Sequence, residues 1–106
     1  MAEEVITVFT TWPDLETART AVRALVAEKL AACGNILPGV ESIYRWEGKV
    51  ETGAEVLVIF KTVIGSYQML EARLRALHPY QVPEVLALRV TDGLPAYLRW
   101  VEQNCG

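Results

Sequence analysis

The chain has 106 residues and a formal net charge of −3, enough for one domain, expected over residues 1–106, and too little for two. Leu, Ile, Val and Phe make up 32 residues, which excludes intrinsic disorder, and the apolar content of 52% slightly exceeds the ~45–50% usual for a soluble domain. With a pI of about 5.1, scattered arginines and charges interrupting every apolar run, neither a nucleic-acid nor a membrane partner is expected.

Val5–Thr11 is rich in β-branched side chains and reads as a first strand, ended by Pro13 and Asp14. Asp14 suits a helix N-cap, because its carboxylate accepts from the free N–H groups of the first turn. Leu15, Ala18, Val22, Leu25, Val26 and Leu30 then recur at three- and four-residue steps, predicting an amphipathic helix over 15–32 with Gly34 as its left-handed terminator. Extended structure resumes at Asn35–Leu37, and Pro38-Gly39 bends or bulges it. Val40–Trp46 alternates, with Val40, Ser42, Tyr44 and Trp46 on one face. Trp46-Glu47-Gly48-Lys49 is a tight hairpin in which Gly48 supplies a positive φ. The return strand, Val50–Thr62, is expected to break near Gly53, and Val56–Phe60 within it is apolar at every position, so burial on both faces is expected.

Ser66 is the expected cap of a second helix, with Leu70, Leu74 and Leu77 inward and a supporting Glu71–Arg75 pair outward. Pro79 stops that helix by disfavouring helical geometry at His78. Val85–Val90 is a fourth strand, and Pro95 opens a short final helix carrying Tyr97, Leu98, Trp100 and Val101. The order β-α-β-β-α-β plus a terminal helix predicts an α+β, ferredoxin-like fold: a four-stranded antiparallel sheet with two helices on one face. Two helices cover one side of a sheet only. The other side must meet the terminal helix, further copies of the chain, or both, and self-assembly accounts for the apolar excess.

The chemistry-bearing residues are few. None of the phosphate-loop, dinucleotide, zinc-protease or hydrolase-elbow motifs is present. An acylphosphatase-like site would need glycines and an arginine after the first strand, where Thr10-Thr11-Trp12-Pro13-Asp14 offers neither. The chain is therefore expected not to be an enzyme. The single histidine, His78, reads as a helix-terminal cap, as a metal ligand completed by another subunit, or as a polar pocket residue. Cys33 reads as a buried small hydrophobe at the end of the first helix and Cys105 as part of a frayed terminus. Both are expected to be free thiols in a reducing cytoplasm, since no ligand-spaced pattern links them and Met1-Ala2-Glu3-Glu4 does not resemble a secretory signal. Tyr44, Trp46 and Tyr80 read as interface, core or cleft aromatics, and Lys61 and Glu84 as an ion pair between strand ends.

Leu30-Ala31-Ala32-Cys33, Ser42-Ile43-Tyr44-Arg45-Trp46-Glu47-Gly48-Lys49, Phe60-Lys61-Thr62, Leu77-His78-Pro79-Tyr80-Gln81-Val82-Pro83-Glu84 and Tyr97-Leu98-Arg99-Trp100 resemble the CutA divalent-cation tolerance family. The resemblance runs from about Val5 to Trp100. It implies a cytoplasmic ferredoxin-like homotrimer, similar in architecture to the PII signalling proteins, with a role in tolerance to copper and other divalent metals. It also implies metal ligands at a first-strand Cys and at two consecutive His before Pro. The matching positions here are Thr10 and Leu77-His78, which leaves His78 as the transferable ligand for a weak site for copper or another divalent cation, with no organic cofactor. Inter-subunit clefts near Tyr44, Trp46, Lys61, Tyr80 and Glu84 are the alternative working site, for a small ligand or protein partner of a PII-like sensor or scaffold.

Overall fold

The computed structural model describes residues 3–106. Four strands, β1 (Val5–Trp12), β2 (Cys33–Trp46), β3 (Lys49–Val63) and β4 (Val85–Arg89), form one sheet in the order β2-β3-β1-β4. Every neighbouring pair is antiparallel. Helices α1 (Leu15–Ala27) and α2 (Tyr67–Leu77) make the two crossovers, and α3 (Pro95–Gln103) follows β4. This is the split-βαβ, α+β arrangement expected from the order of elements.

Alternation along the strands decides what is core. Ile6, Val8, Thr10 and Trp12 of β1, with Val56, Val58 and Phe60 of β3, point toward the helices and are buried. They pack against Ala18, Ala21, Val22 and Leu25 of α1 and Leu70 and Leu74 of α2. On the opposite face lie Phe9, Leu57, Ile59, Leu86 and Leu88, brought side by side by the registers Phe9↔Ile59, Phe9↔Leu86, Thr11↔Leu57 and Thr7↔Leu88. Among the described residues no helix covers this centre: Leu86 is 57% exposed and Leu88 47%. Helix α3 docks only at one end, where Val101 joins Val5, Ala32 and Val63.

The β2–β3 hairpin outruns the rest of the sheet. Strand β1 ends at Trp12 opposite Val56, so Val40–Trp46 and Lys49–Glu55 pair with one another alone. The resulting ribbon accounts for a molecule measuring 47 × 25 × 22 Å. Its turn places both Glu47 (φ 49°) and Gly48 (φ 80°) in left-handed conformation, the two-residue geometry that matches strand twist. A register shift between Leu37 and Val40, with Gly39 at φ 83°, is the expected bulge.

Several local expectations are corrected. Helix α1 ends at Ala27 rather than Ala32, with Lys29 (φ 61°) in left-handed geometry. The Leu30 and Ala31 amides then turn back to the Leu25 carbonyl, and Ala32 donates to Lys61 O at 2.8 Å. Gly34 is thus a strand residue, and Cys33 begins β2 half-buried, with Sγ 3.8 Å from the Tyr97 hydroxyl. Strand β3 is unbroken at Gly53. Ser66 makes no side-chain cap, because a 3-10 turn over Ile64–Ser66 leads into α2. Glu71 accepts from the Tyr67 hydroxyl at 2.8 Å, and Arg73 bonds Glu28 on α1's C-cap. Cys105 is docked rather than frayed: it packs beside Val101, and Gly106 N donates to Lys29 O at 2.9 Å.

Candidate functional site

Where β1 ends and the ribbon begins, the sheet narrows from four strands to two. The segment 79–84, released from α2 by Pro79, crosses this step. Between it and the ribbon lies an open cleft of about 800 Å³, whose lining includes Glu41, Tyr44, Trp46, Glu55, Tyr80 and Glu84. Four of the five expected cleft residues therefore meet. Lys61 does not: it lies six residues from Glu55 along β3, roughly 20 Å at strand rise, and donates to Asn35 Oδ1. The expected Lys61–Glu84 pairing is excluded by topology, since β1 separates β3 from β4. Glu41 and Glu55 were not singled out from sequence. They were hidden among the alternating charges of the hairpin, and only the position of the 79–84 segment gives them meaning.

The wall of the cleft is built outward from the core. Thr10 Oγ1 donates to Val58 O and accepts the Trp12 indole N–H at 2.7 Å, fixing a fully buried Trp12 at the end of β1. The His78 ring stacks on Trp12, centroids 4.2 Å apart, and Tyr80 lies tilted against His78 at 4.6 Å. His78 is 7% exposed and is not itself among the cleft-lining residues. Its Nδ1 accepts from the Tyr80 amide at 3.1 Å, and its Nε2 lies 2.6 Å from the Thr11 carbonyl. Tyr80 then reaches across the cleft and donates from its hydroxyl to Glu55 Oε2 at 2.9 Å. Burial, followed by the Glu55 hydrogen bond and nearby negative charge, pushes the Tyr80 phenol up to about 12.

These side chains do not fit a copper ion. A ligand must present an unused lone pair, and copper prefers imidazole and thiolate. Thr10 is buried with its hydroxyl bonded on both sides, Leu77 is apolar and packs on the core, and both His78 nitrogens are engaged. Among the described residues no group of three or more His, Cys, Asp or Glu is placed to hold an ion. Chemically the cleft offers three carboxylates, three aromatic faces and, among its described lining residues, no lysine or arginine.

A split-βαβ sandwich with a long β2–β3 ribbon and an aromatic, acidic cleft at its base defines the structural class. A profile described as CutA1 divalent ion tolerance protein matches residues 6–104. The divalent-cation tolerance protein CutA of Thermus thermophilus is 48% identical over 104 residues, covering 98% of this chain and 99% of that protein. The chloroplastic protein CutA of Arabidopsis thaliana is 44% identical over 99 residues, covering 93% of this chain and 54% of that longer protein. Among solved structures, CutA1 from Oryza sativa superposes with a TM-score of 0.96 at 42% identity, covering 99% of this chain and 96% of that one. The chain belongs to the CutA1 divalent ion tolerance family, which is named for a role in metal tolerance and not for a reaction.

Proposed function

We propose that this chain acts in divalent-cation tolerance as a non-catalytic cytoplasmic homotrimer whose working site is the cleft at the base of the ribbon. The observation that carries the assembly is the bare sheet face: half-buried Phe9, Leu57 and Ile59 and exposed Leu86 and Leu88 form a contiguous apolar surface that no helix among the described residues covers. The exposed ribbon residues Tyr44 and Trp46, paired with Glu51 and Lys49 on the same side of β3, extend it. A two-stranded ribbon is marginal in water by itself, so a neighbour that packs against it is needed for its stability. The free Cys33 and Cys105 suit a reducing compartment.

Light scattering is expected to give about three times the chain mass of 11.8 kDa. Leu88→Glu, which places a charge in the bare face, is expected to dissociate the assembly; a wild-type mass equal to one chain overturns this reading. Growth under copper, zinc and cobalt stress of cells producing wild type or Leu88→Glu connects assembly to tolerance.

A second reading, a sensor or scaffold that takes a small ligand, is favoured by the cleft itself. Carboxylates from Glu41, Glu55 and Glu84 repel phosphates, so the lining supports a cationic or uncharged ligand over a nucleotide. A thermal-shift screen of amines, sugars and nucleotides separates these classes, because a ligand that binds only the folded state stabilises it by RT ln(1 + [L]/Kd) and so raises the melting temperature.

A further inference from the structure

We propose that His78 is a positioning residue, locked as its Nε2–H tautomer, that latches the Tyr80 segment to the end of β1 and has no lone pair left for a metal. The argument starts from which groups can only donate and which can only accept. The Tyr80 amide can only donate, so Nδ1, 3.1 Å away, must present its lone pair. The Thr11 carbonyl can only accept, so Nε2, 2.6 Å away, must carry the proton. One tautomer satisfies both contacts; the other sets donor against donor and acceptor against acceptor. With the ring 7% exposed and flanked by Trp12 and Tyr80, water has little access to replace either partner.

A metal at Nδ1 would have to displace the Tyr80 amide, and one at Nε2 would have to displace the Thr11 carbonyl and the ring proton. Either event undoes the contact that holds the cleft wall. The same residue closes α2, where its N–H donates to Leu74 O at 2.9 Å, and turns extended before Pro79. His78 therefore aims the chain: helix end, imidazole latch, Tyr80, Glu55. This departs from the ligand role that the family resemblance implies for the position.

The test uses the intact protein. Side-chain nitrogen spectra of the wild type are expected to show an unprotonated Nδ1 and a protonated Nε2, unmoved by stoichiometric zinc, a diamagnetic probe. A protonated Nδ1, or a zinc-induced shift of either nitrogen at stoichiometric metal, overturns the proposal. The positioning role is read at Tyr80 through labelled tyrosine ring carbons. In His78→Ala the Tyr80 phenol is expected to titrate nearer the free value of 10, as its contact with Glu55 loosens. In His78→Asn, whose Oδ1 can replace Nδ1 as the acceptor for the Tyr80 amide, most of the elevation returns. A Tyr80 titration unchanged in His78→Ala refutes the latch. If His78→Ala does not fold, the wild-type spectra and His78→Asn still decide it: a free-value Tyr80 in a folded His78→Asn protein also refutes the latch.

Discussion

Threonine 10 carries more of the site than its size suggests. It occupies the strand position at which the family resemblance implies a cysteine, and its hydroxyl is the acceptor for the buried Trp12 indole. Thr10→Val keeps the shape but leaves that indole N–H without a partner, a loss expected to cost about 1–3 kcal/mol. Urea unfolding at fixed protein concentration should show a lower midpoint with an unchanged slope. Tyr80 makes a separate prediction at the same scale. Its phenol is raised from 10 to about 12 in the folded chain, so folding favours the protonated form. The associated stability is fully present below pH 10 and is lost as pH rises from 10 toward 12. Stability measured across that window should fall more steeply for wild type than for Tyr80→Phe; equal slopes would remove Tyr80 from the alkaline transition.

Among the elements, the start of β2 is packed most tightly against α1. A Cβ at Gly34 would meet Val22 Cγ1 at 2.9 Å and the Phe60 ring at 3.1 Å. The glycine is required there by close approach of helix and strand, not by an unusual φ. Gly34→Ala is expected to destabilise by about 1–3 kcal/mol, as overpacked cores do, which denaturant titration measures directly. The early end of α1 follows from the same geometry. Helix to residue 32 would carry Ala32 past the Lys61 carbonyl that it must bond to begin the strand. Midway along β2, the bulge at Pro38-Gly39 falls where the four-stranded region gives way to the ribbon that walls the cleft.

For the whole molecule, folding and assembly are expected to be linked. In the proposed assembly the Phe9–Leu57–Ile59–Leu86–Leu88 face is buried between chains, which would stabilise the folded state by mass action, so the melting temperature should rise with protein concentration. In Leu88→Glu that dependence should vanish, whatever the cost of the substitution to the single chain. A concentration-independent melting temperature for wild type would show that the face does not bind another copy.

Much of this architecture is written in local pattern. The strand and helix order, the hairpin turn at Glu47-Gly48, the bulge at Gly39, the Asp14 cap and the apolar excess of β3 and β4 all follow from period, turn chemistry and composition. The motifs at Trp46–Lys49 and His78–Glu84 carried the family. Local pattern could not say that α1 stops at Ala27, because the Lys61 carbonyl that ends it belongs to a strand formed elsewhere in the chain. Nor could it decide His78. The carbonyl that its Nε2 meets lies 67 positions away, and the Glu55 that Tyr80 meets lies 25 positions away. A histidine before proline presents the same two nitrogens to any reader of the sequence. Which of them is free depends on the partners that sheet pairing brings to it, and here the fold leaves neither.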